Sequence, residues 1–247
     1  MRWLILLLAA CFAFPGLSQA ADPTIEELLD AVDDANRGET SEGRMSMHVK
    51  TRRWERTMTM EMWSKGEDNS LVRIVAPAKE AGTATLRVGD NIWNYLPKVD
   101  RTMKVPAAMM SGNWMGSHFT NNDLVRGSRL ADDFTFELTD RPTEDGKGHW
   151  GIACVPKEDA PVVWGKVLVK VTADKVPMEV SYWDEDGGLV RTMTFHDVRD
   201  VDGQKVPMRI RMVPADKPDE VTEMSYEGLR FNVEVPASTF TLQALKK

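Results

Sequence analysis

The residue types that most often carry catalysis or bind metals are few in this sequence and lie far apart. Its four histidines are His48, His118, His149 and His196. Zinc-binding histidines of one motif are separated by about three to five residues, and no two histidines of this chain have that spacing. The chain also has no Gly-x-Ser-x-Gly nucleophile elbow and no glycine-rich phosphate loop. We therefore predict no metal, no cofactor and no catalytic residue, which favours a protein that is not an enzyme.

Acidic residues are abundant, and paired carboxylates can act together as a general acid and a general base. The two densest groups are Asp132-Asp133 and Asp184-Glu185-Asp186. Both stand beside turn residues at the ends of expected strands. We interpret them as solvated turns, and a pair formed by acids distant in the sequence is the alternative.

One basic cluster, formed by Lys50, Arg52, Arg53 and Arg56 around Trp54, has the residue types that hold phosphate groups. The chain as a whole is acidic, with a formal net charge of −7. Such a chain is repelled by nucleic-acid phosphates and by anionic lipid surfaces. We predict no nucleic-acid partner and interpret the cluster as the solvated end of a hairpin. Contact with an acidic partner or a lipid headgroup is the alternative.

Residues 1–20 have the organisation of a secretory signal peptide. A basic residue precedes a short apolar run, Pro15-Gly16 interrupts it, and Ser18-Gln19-Ala20 is a small-residue cleavage site. We predict export to the periplasm and a mature chain of one domain, residues 21–247. The run Leu8-Ala9-Ala10-Cys11 also fits a lipobox, so anchoring of the protein as a lipoprotein through an acylated Cys11 is the alternative.

Cys154 is the only cysteine that remains after this cleavage. A disulfide within the mature chain is then excluded, and stability must come from a buried core. The flanking residues Ile152, Ala153 and Val155 are apolar and supply no group that lowers the pKa of a thiol. We predict a buried, unreactive Cys154.

An amphipathic helix is predicted at the start of the mature chain. Thr24 and Glu27 form a capping box, which is typical of a helix N-terminus. Apolar residues then recur at helical spacing from Ile25 to Val32. Asn36-Arg37-Gly38 is expected to end the helix.

From Met45 onward the apolar period changes from 3.6 to 2, which indicates strands with one buried face. Alternating runs occur at 45–49, 58–62, 167–171, 178–182, 208–212, 224–226 and 229–233. Further strands are predicted at 71–76, 83–89, 91–96, 101–105, 134–139, 149–155 and 189–196. About a dozen antiparallel strands with one apolar face make a sheet that must curl around that face. We predict a mainly β fold in which the helix and a long loop close the curl.

That loop, residues 107–119, is rich in apolar side chains and interrupted by glycines. Long connections of this kind are uncommon in compact domains unless they have a function such as a lid. A moving lid and a static plug that completes the core are both open.

Methionine is the other unusual feature, with fifteen residues in the chain. Its flexible, polarizable side chain can line a surface that accepts ligands of variable shape, and ordinary packing in the core is the alternative. We predict that apolar residues of the sheet and the loop bind a lipid; this set is Trp54, Met58, Met60, Met62, Trp93, Met103, Met109, Met110, Trp114, Met115 and Phe119.

Short motifs spread over the mature chain form one further pattern. They are Gly82-Thr83-x-x-Leu86, Trp93-Asn94-Tyr95-Leu96-Pro97, Arg101-x-Met103-Lys104-Val105, Met115-Gly116-Ser117-x-Phe119-Thr120-x-x-Asp123-Leu124, Asp202-Gly203-x-x-Val206-Pro207 and Val235-Pro236-x-Ser238-x-Phe240-Thr241-x-x-Ala244-Leu245. In these motifs the chain resembles the outer-membrane lipoprotein-sorting protein family, within the LolA/LolB carrier superfamily.

The resemblance implies an open, unclosed β-barrel with a helical lid that carries lipids or lipoprotein acyl chains through the periplasm as a monomer. It also implies an inner-membrane transporter of the ABC or RND type as a partner. Two other functions stay open. One is a periplasmic sensor or adaptor subunit of an envelope complex, and the other is a hydrolase with a site of unfamiliar pattern.

Overall fold

The computed structural model of the protein describes residues 22–126, 130–143, 145–160 and 162–247. The predicted signal peptide, the alternative lipid anchor Cys11 and the first mature residue lie outside the described residues.

Within these ranges the fold consists of three α-helices and a sheet of thirteen strands. The helices are α1 (Ile25–Asp33), α2 (Asn121–Arg126) and α3 (Leu130–Asp133). The strands are β1 (Thr40–Lys50), β2 (Glu55–Lys65), β3 (Asn69–Ala76), β4 (Ala84–Val88), β5 (Asn91–Leu96), β6 (Arg101–Lys104), β7 (Phe134–Asp140), β8 (His149–Pro156), β9 (Lys166–Thr172), β10 (Pro177–Trp183), β11 (Leu189–Val201), β12 (Gln204–Pro214) and β13 (Val221–Phe231).

All the strands belong to one antiparallel sheet, whose order is β6-β5-β4-β3-β2-β1-β13-β12-β11-β10-β9-β8-β7. The first and last strands pair at its centre, where Ser41 lies opposite Phe231. The two edges, β6 and β7, do not pair with each other, so the sheet curves without closing into a barrel. The predicted fold class, a mainly β open barrel, is confirmed.

Helix α1 forms where the capping box predicted it. The Thr24 side chain accepts the Glu27 backbone N–H at 3.2 Å, which satisfies one of the free donors of the first turn. Leu28 and Leu29 are completely buried. The helix ends at Asp33, before the predicted stop at 36–38.

The inner face of the sheet carries two apolar clusters. The first packs α1 against β7 to β10 and contains Val169 and Val180. The second joins β1 to β3 and β12 to the segment between β6 and β7, and it contains Met60. Met193 and Phe195 of β11 pack against both clusters and connect them.

Two departures from the predicted alternation have clear physical reasons. Met178 was expected on the apolar face, but it is 40% exposed, because a register shift between Pro177 and Glu179 displaces it from the ladder with β9. The strands were expected to have one apolar face. The outer face of β3 to β5 is also apolar and is buried around Leu71, because the C-terminal segment packs on it through Leu245.

Candidate functional site

A cavity of about 240 Å³ lies between the inner face of the sheet, the segment after β6 and the end of α1. Most of its wall is apolar. Among the side chains that form this wall are Met62, Val72, Met193, Phe195, Met212 and Met224. They come from strands on both sides of the central β1–β13 pair, so the curvature of the whole sheet creates the cavity.

Residues 107–126, which we call the lid segment, form the roof of this cavity. They contain a 3-10 turn at Ala107–Met109, a second at Trp114–Gly116, and α2. The backbone turns back at Met115 and Gly116, both of which have positive φ angles. A hydrogen bond from the Trp114 N–H to the Phe119 carbonyl, 2.8 Å long, closes this turn. The turn directs Trp114 and Phe119 toward the cavity, which both residues line.

Polar side chains attach the lid segment to the sheet. The indole N–H of Trp114 donates to Thr85 Oγ1 of β4 at 3.1 Å. The Nδ1 atom of His118 lies 2.8 Å from Thr222 Oγ1 of β13, and its Nε2 atom lies 3.2 Å from Glu220 Oε2. The Arg56 guanidinium of β2 donates to a lid-segment carbonyl. These contacts hold the roof without strand pairing to the sheet.

The strongest of these attachments is a buried ion pair between Asp123 of α2 and Arg191 of β11. The two guanidinium nitrogens donate to the two carboxylate oxygens at 2.8 and 2.5 Å. The Arg191 guanidinium carbon also lies 4.6 Å from the centre of the Trp164 ring and 4.4 Å from that of Tyr182. This bidentate geometry fixes both the position and the orientation of α2.

One end of the cavity is polar because the C-terminal turn of α1 reaches it. Asp33 is half-buried as a residue, but its Oδ1 atom is inaccessible to solvent and has no hydrogen-bond partner among the described residues. Burial raises the pKa of Asp33 to about 8, against the opposing effect of a hydrogen bond from the Leu130 backbone. At neutral pH this carboxyl group is therefore mostly protonated.

Replacing Asp33 by asparagine is expected to remove a pH dependence of stability. The unfolded chain ionises this carboxyl near pH 3.9, whereas the folded chain keeps the proton to about pH 8, so stability falls as the pH rises between these values. As the pH rises from 5 to 8, the free energy of unfolding of the wild type should fall by up to about 4 kcal/mol more than that of D33N, at 1.4 kcal/mol per pH unit. Urea unfolding at both pH values measures this.

The matched control is Asp30→Asn, an exposed carboxylate on the same helix. It should follow the wild-type pH dependence. If D33N follows it as well, the Asp33 carboxyl is ionised in the folded protein at neutral pH.

Part of the predicted lipid-binding set lies at this cavity. Met62, Trp114 and Phe119 line it. Met58 and Met60 are completely buried beside it in the same apolar cluster, and Met115 packs against that cluster.

The other members of the predicted set lie elsewhere. Trp54 is 42% exposed and Met109 is 61% exposed. Met103 is also exposed, on the edge strand β6, and Met110 is only half-buried. Trp93 packs in the outer-face cluster under the C-terminal segment. None of these residues lines the cavity.

Several lining residues were not in the predicted set. Met193, Met212 and Met224 belong to β11, β12 and β13, and the alternation of the last two had already placed them on the apolar face. Extending the set to every methionine of that face would have found them. Asp33 gave no such signal, because an acid at a helix end is usually solvated.

The titratable groups of the described residues form no metal site. No group of three or more His, Cys, Asp or Glu side chains within those residues could hold a metal ion. Cys154 is a free, buried thiol, as predicted, and burial raises its pKa to about 12. In the same part of the chain, none of the helices has the length and apolar character needed to cross a membrane.

Solved structures with the same architecture include a protein of the LolA superfamily. An outer membrane lipoprotein-sorting protein domain from Vibrio parahaemolyticus matches with a TM-score of 0.75 at 24% identity, over 90% of this chain and 99% of that one. A LolA superfamily protein from Nitrosomonas europaea matches with a TM-score of 0.73 at 23% identity, over 90% and 99%. A DUF1329 family protein from Desulfovibrio piger reaches 0.78 at 21% identity, over 89% and 96%.

These similarities define the class of fold as the LolA-type open barrel, so the resemblance predicted from the motifs is confirmed at the level of the fold. Residues 66–247 match the model of a family described as "Uncharacterized protein", and the chain belongs to this family. The search of curated proteins finds no match.

Proposed function

We propose that the protein is a periplasmic carrier that shelters the acyl chain of a lipid or lipoprotein in the cavity under the lid segment, without catalysing a reaction. The observation that carries this proposal is the apolar cavity of about 240 Å³ on the inner face of the sheet. An engineered apolar cavity of about 150 Å³ in another protein stays dry and binds benzene. A cavity of this size therefore accommodates a section of an acyl chain.

The energy of binding comes from burial. Each buried methylene contributes about 0.8 kcal/mol, so about ten sheltered methylenes gain about 8 kcal/mol, which corresponds to roughly micromolar affinity before the costs of ordering are subtracted. A carrier needs affinity of this order, because it must also release its cargo.

Release requires the roof to move, which favours a lid over a static plug. The lid segment is attached to the sheet by side-chain hydrogen bonds and the ion pair of Asp123 with Arg191. Its described backbone has a single isolated bridge, which joins Asn113 to Thr120 within the segment itself. Breaking a few such contacts costs less than unpairing a strand, so this roof can open while the sheet stays folded.

Export of residues 21–247 to the periplasm is part of the proposal, and it rests on the signal-peptide pattern of residues 1–20. The lipoprotein-sorting name of one similar structure supports the same compartment. The mature protein is proposed to act as a monomer beside an inner-membrane transporter. The intact mass of the exported chain distinguishes cleavage after Ala20 from a diacylated Cys11.

Filling the cavity tests the carrier proposal directly. Met224→Trp should place a larger ring in the cavity that Met224 lines. We expect at least a tenfold loss of affinity for a fluorescent fatty acid, because the ring occupies volume that the chain needs. Fluorescence titration of the purified protein measures the affinity, and circular dichroism verifies the fold.

The matched control is Met178→Trp, because Met178 is outside the cavity. This variant should bind like the wild type. Unchanged binding by a folded Met224→Trp protein would place the ligand elsewhere, and a wild-type protein that binds no acyl ligand would overturn the carrier proposal.

A further inference from the structure

The polar end of the cavity contains a cation that is shared with a second pocket. Arg37 lines both the apolar cavity and a polar groove of about 670 Å³ on the other side of the α1 end. Asp34, Glu67 and Lys205 are among the groove residues. The Arg37 side chain therefore forms part of the boundary between an apolar compartment and a solvated one.

Two buried polar atoms at this boundary have no partner. They are Nη1 of Arg37 and Oδ1 of Asp33, neither of which forms a hydrogen bond within the described ranges. A buried polar group without a partner is destabilising, and more so when it is charged, so such groups are rare unless a ligand or water completes them. The other polar residues at this end include two that are already engaged, since Asn36 donates to the Pro207 carbonyl and Ser64 bonds Ser41.

The charge of Arg37 is not neutralised on the cavity side. Asp33 is protonated at neutral pH, because burial raises its pKa to about 8. Arg37 forms no ion pair with any acid in the described part of the chain, and Asp34, which is within its electrostatic reach, lines only the groove. The positive charge of Arg37 also acts on Tyr226, another residue that lines the cavity. Burial raises the pKa of Tyr226 to about 12, and the Arg37 charge opposes this rise.

We propose that Arg37 and Asp33 form a subsite for the carboxylate of a fatty acid whose chain lies in the apolar cavity. The subsite deepens the carrier function proposed above and rests on it. The guanidinium pairs with the carboxylate in the geometry that arginine favours, and the protonated Asp33 donates a hydrogen bond to one of its oxygens. One cation beside a neutral acid compensates a single negative charge, which selects a carboxylate over a phosphate dianion.

Comparison of three sixteen-carbon ligands tests this subsite: palmitate, hexadecanol and hexadecyl phosphate. Their affinities for the mature protein are measured at pH 7 by displacement of a fluorescent fatty acid. The wild type should bind palmitate at least tenfold more tightly than the other two. Arg37→Gln should lose this preference, bind palmitate about tenfold more weakly and retain its affinity for hexadecanol.

Two further variants separate the subsite from a loss of fold. Arg37→Lys keeps the charge but not the planar fork, and it should lie between the wild type and Arg37→Gln. Arg44→Gln removes an arginine that pairs with Glu227 on the exposed surface, and it should bind all three ligands like the wild type. Circular dichroism and thermal unfolding verify that each variant folds.

The outcomes distinguish the two proposals. If the wild type binds all three ligands equally, or folded Arg37→Gln binds palmitate as tightly as the wild type, the subsite is wrong while the carrier function stands. A preference for hexadecyl phosphate would also overturn the carboxylate assignment and point to a phospholipid headgroup. If none of the three ligands binds, both proposals fail.

Discussion

Replacing Asp123 by alanine is expected to lower the free energy of unfolding by about 3–5 kcal/mol, because it leaves the buried Arg191 guanidinium without its counter-charge. In a chain of this length each kcal/mol corresponds to roughly 2–4 °C in Tm. Thermal unfolding should therefore reveal a drop of about 6–20 °C. The same change detaches α2 from β11. The lid segment should therefore exchange its amide hydrogens faster than it does in the wild type, with β1 as the internal reference.

Two variants calibrate this result. Glu227→Ala removes the acid of the exposed Arg44–Glu227 pair and should cost no more than about 1 kcal/mol. The double variant Asp123→Leu, Arg191→Met replaces both charges by apolar groups of similar length, and it should recover most of the loss. If Asp123→Ala costs no more than Glu227→Ala, the ion pair is solvated and does not hold the lid segment.

Replacing Trp114 by alanine is the second change with a large expected effect. The indole is buried between the lid segment and the sheet, and its N–H donates to Thr85. Removing a buried tryptophan typically costs about 3–5 kcal/mol, since apolar contacts are lost and a void remains. Urea unfolding should show this loss. Acyl ligand should also dissociate faster from the variant, because Trp114 forms part of the cavity roof.

Trp54→Ala is the matched control, since Trp54 is an exposed tryptophan that stacks on Arg56. Its cost should be no more than about 1 kcal/mol, in the range of an exposed cation–π contact. Faster ligand release from Trp114→Ala without any gain in lid-segment hydrogen exchange would favour the static plug over the lid.

The sheet could be predicted from the sequence because its signal is local. Each strand buries one face, and the period of two at Met45–Val49 or Val167–Val171 reports this without reference to any other strand. Helix α1 was also predictable, since its cap lies within four residues. The bulge at Met178 could not be predicted, because a register shift depends on the pairing with a neighbouring strand.

The candidate site was predicted only in part, for a related reason. On a strand the side-chain direction alternates, so Met62 could be assigned to the inner face. In the lid segment no period exists, and the direction of Trp114 depends on its contact with Thr85 of β4. The Asp33 carboxyl is buried in the folded chain and accepts a hydrogen bond from the backbone of Leu130, which is distant in the sequence.

The pairing of β1 with β13 has a consequence for how the protein acquires its cavity. Glu42 and Arg230, which face each other across this pair, are 188 residues apart in the sequence. Contacts of such long range form slowly, whereas the hairpins on either side close locally. Met45 and Tyr226 stand on opposite sides of this seam and both line the cavity. A nascent chain therefore has no binding compartment until its last strand is available, and a ligand that binds across the seam selectively stabilises the completed fold.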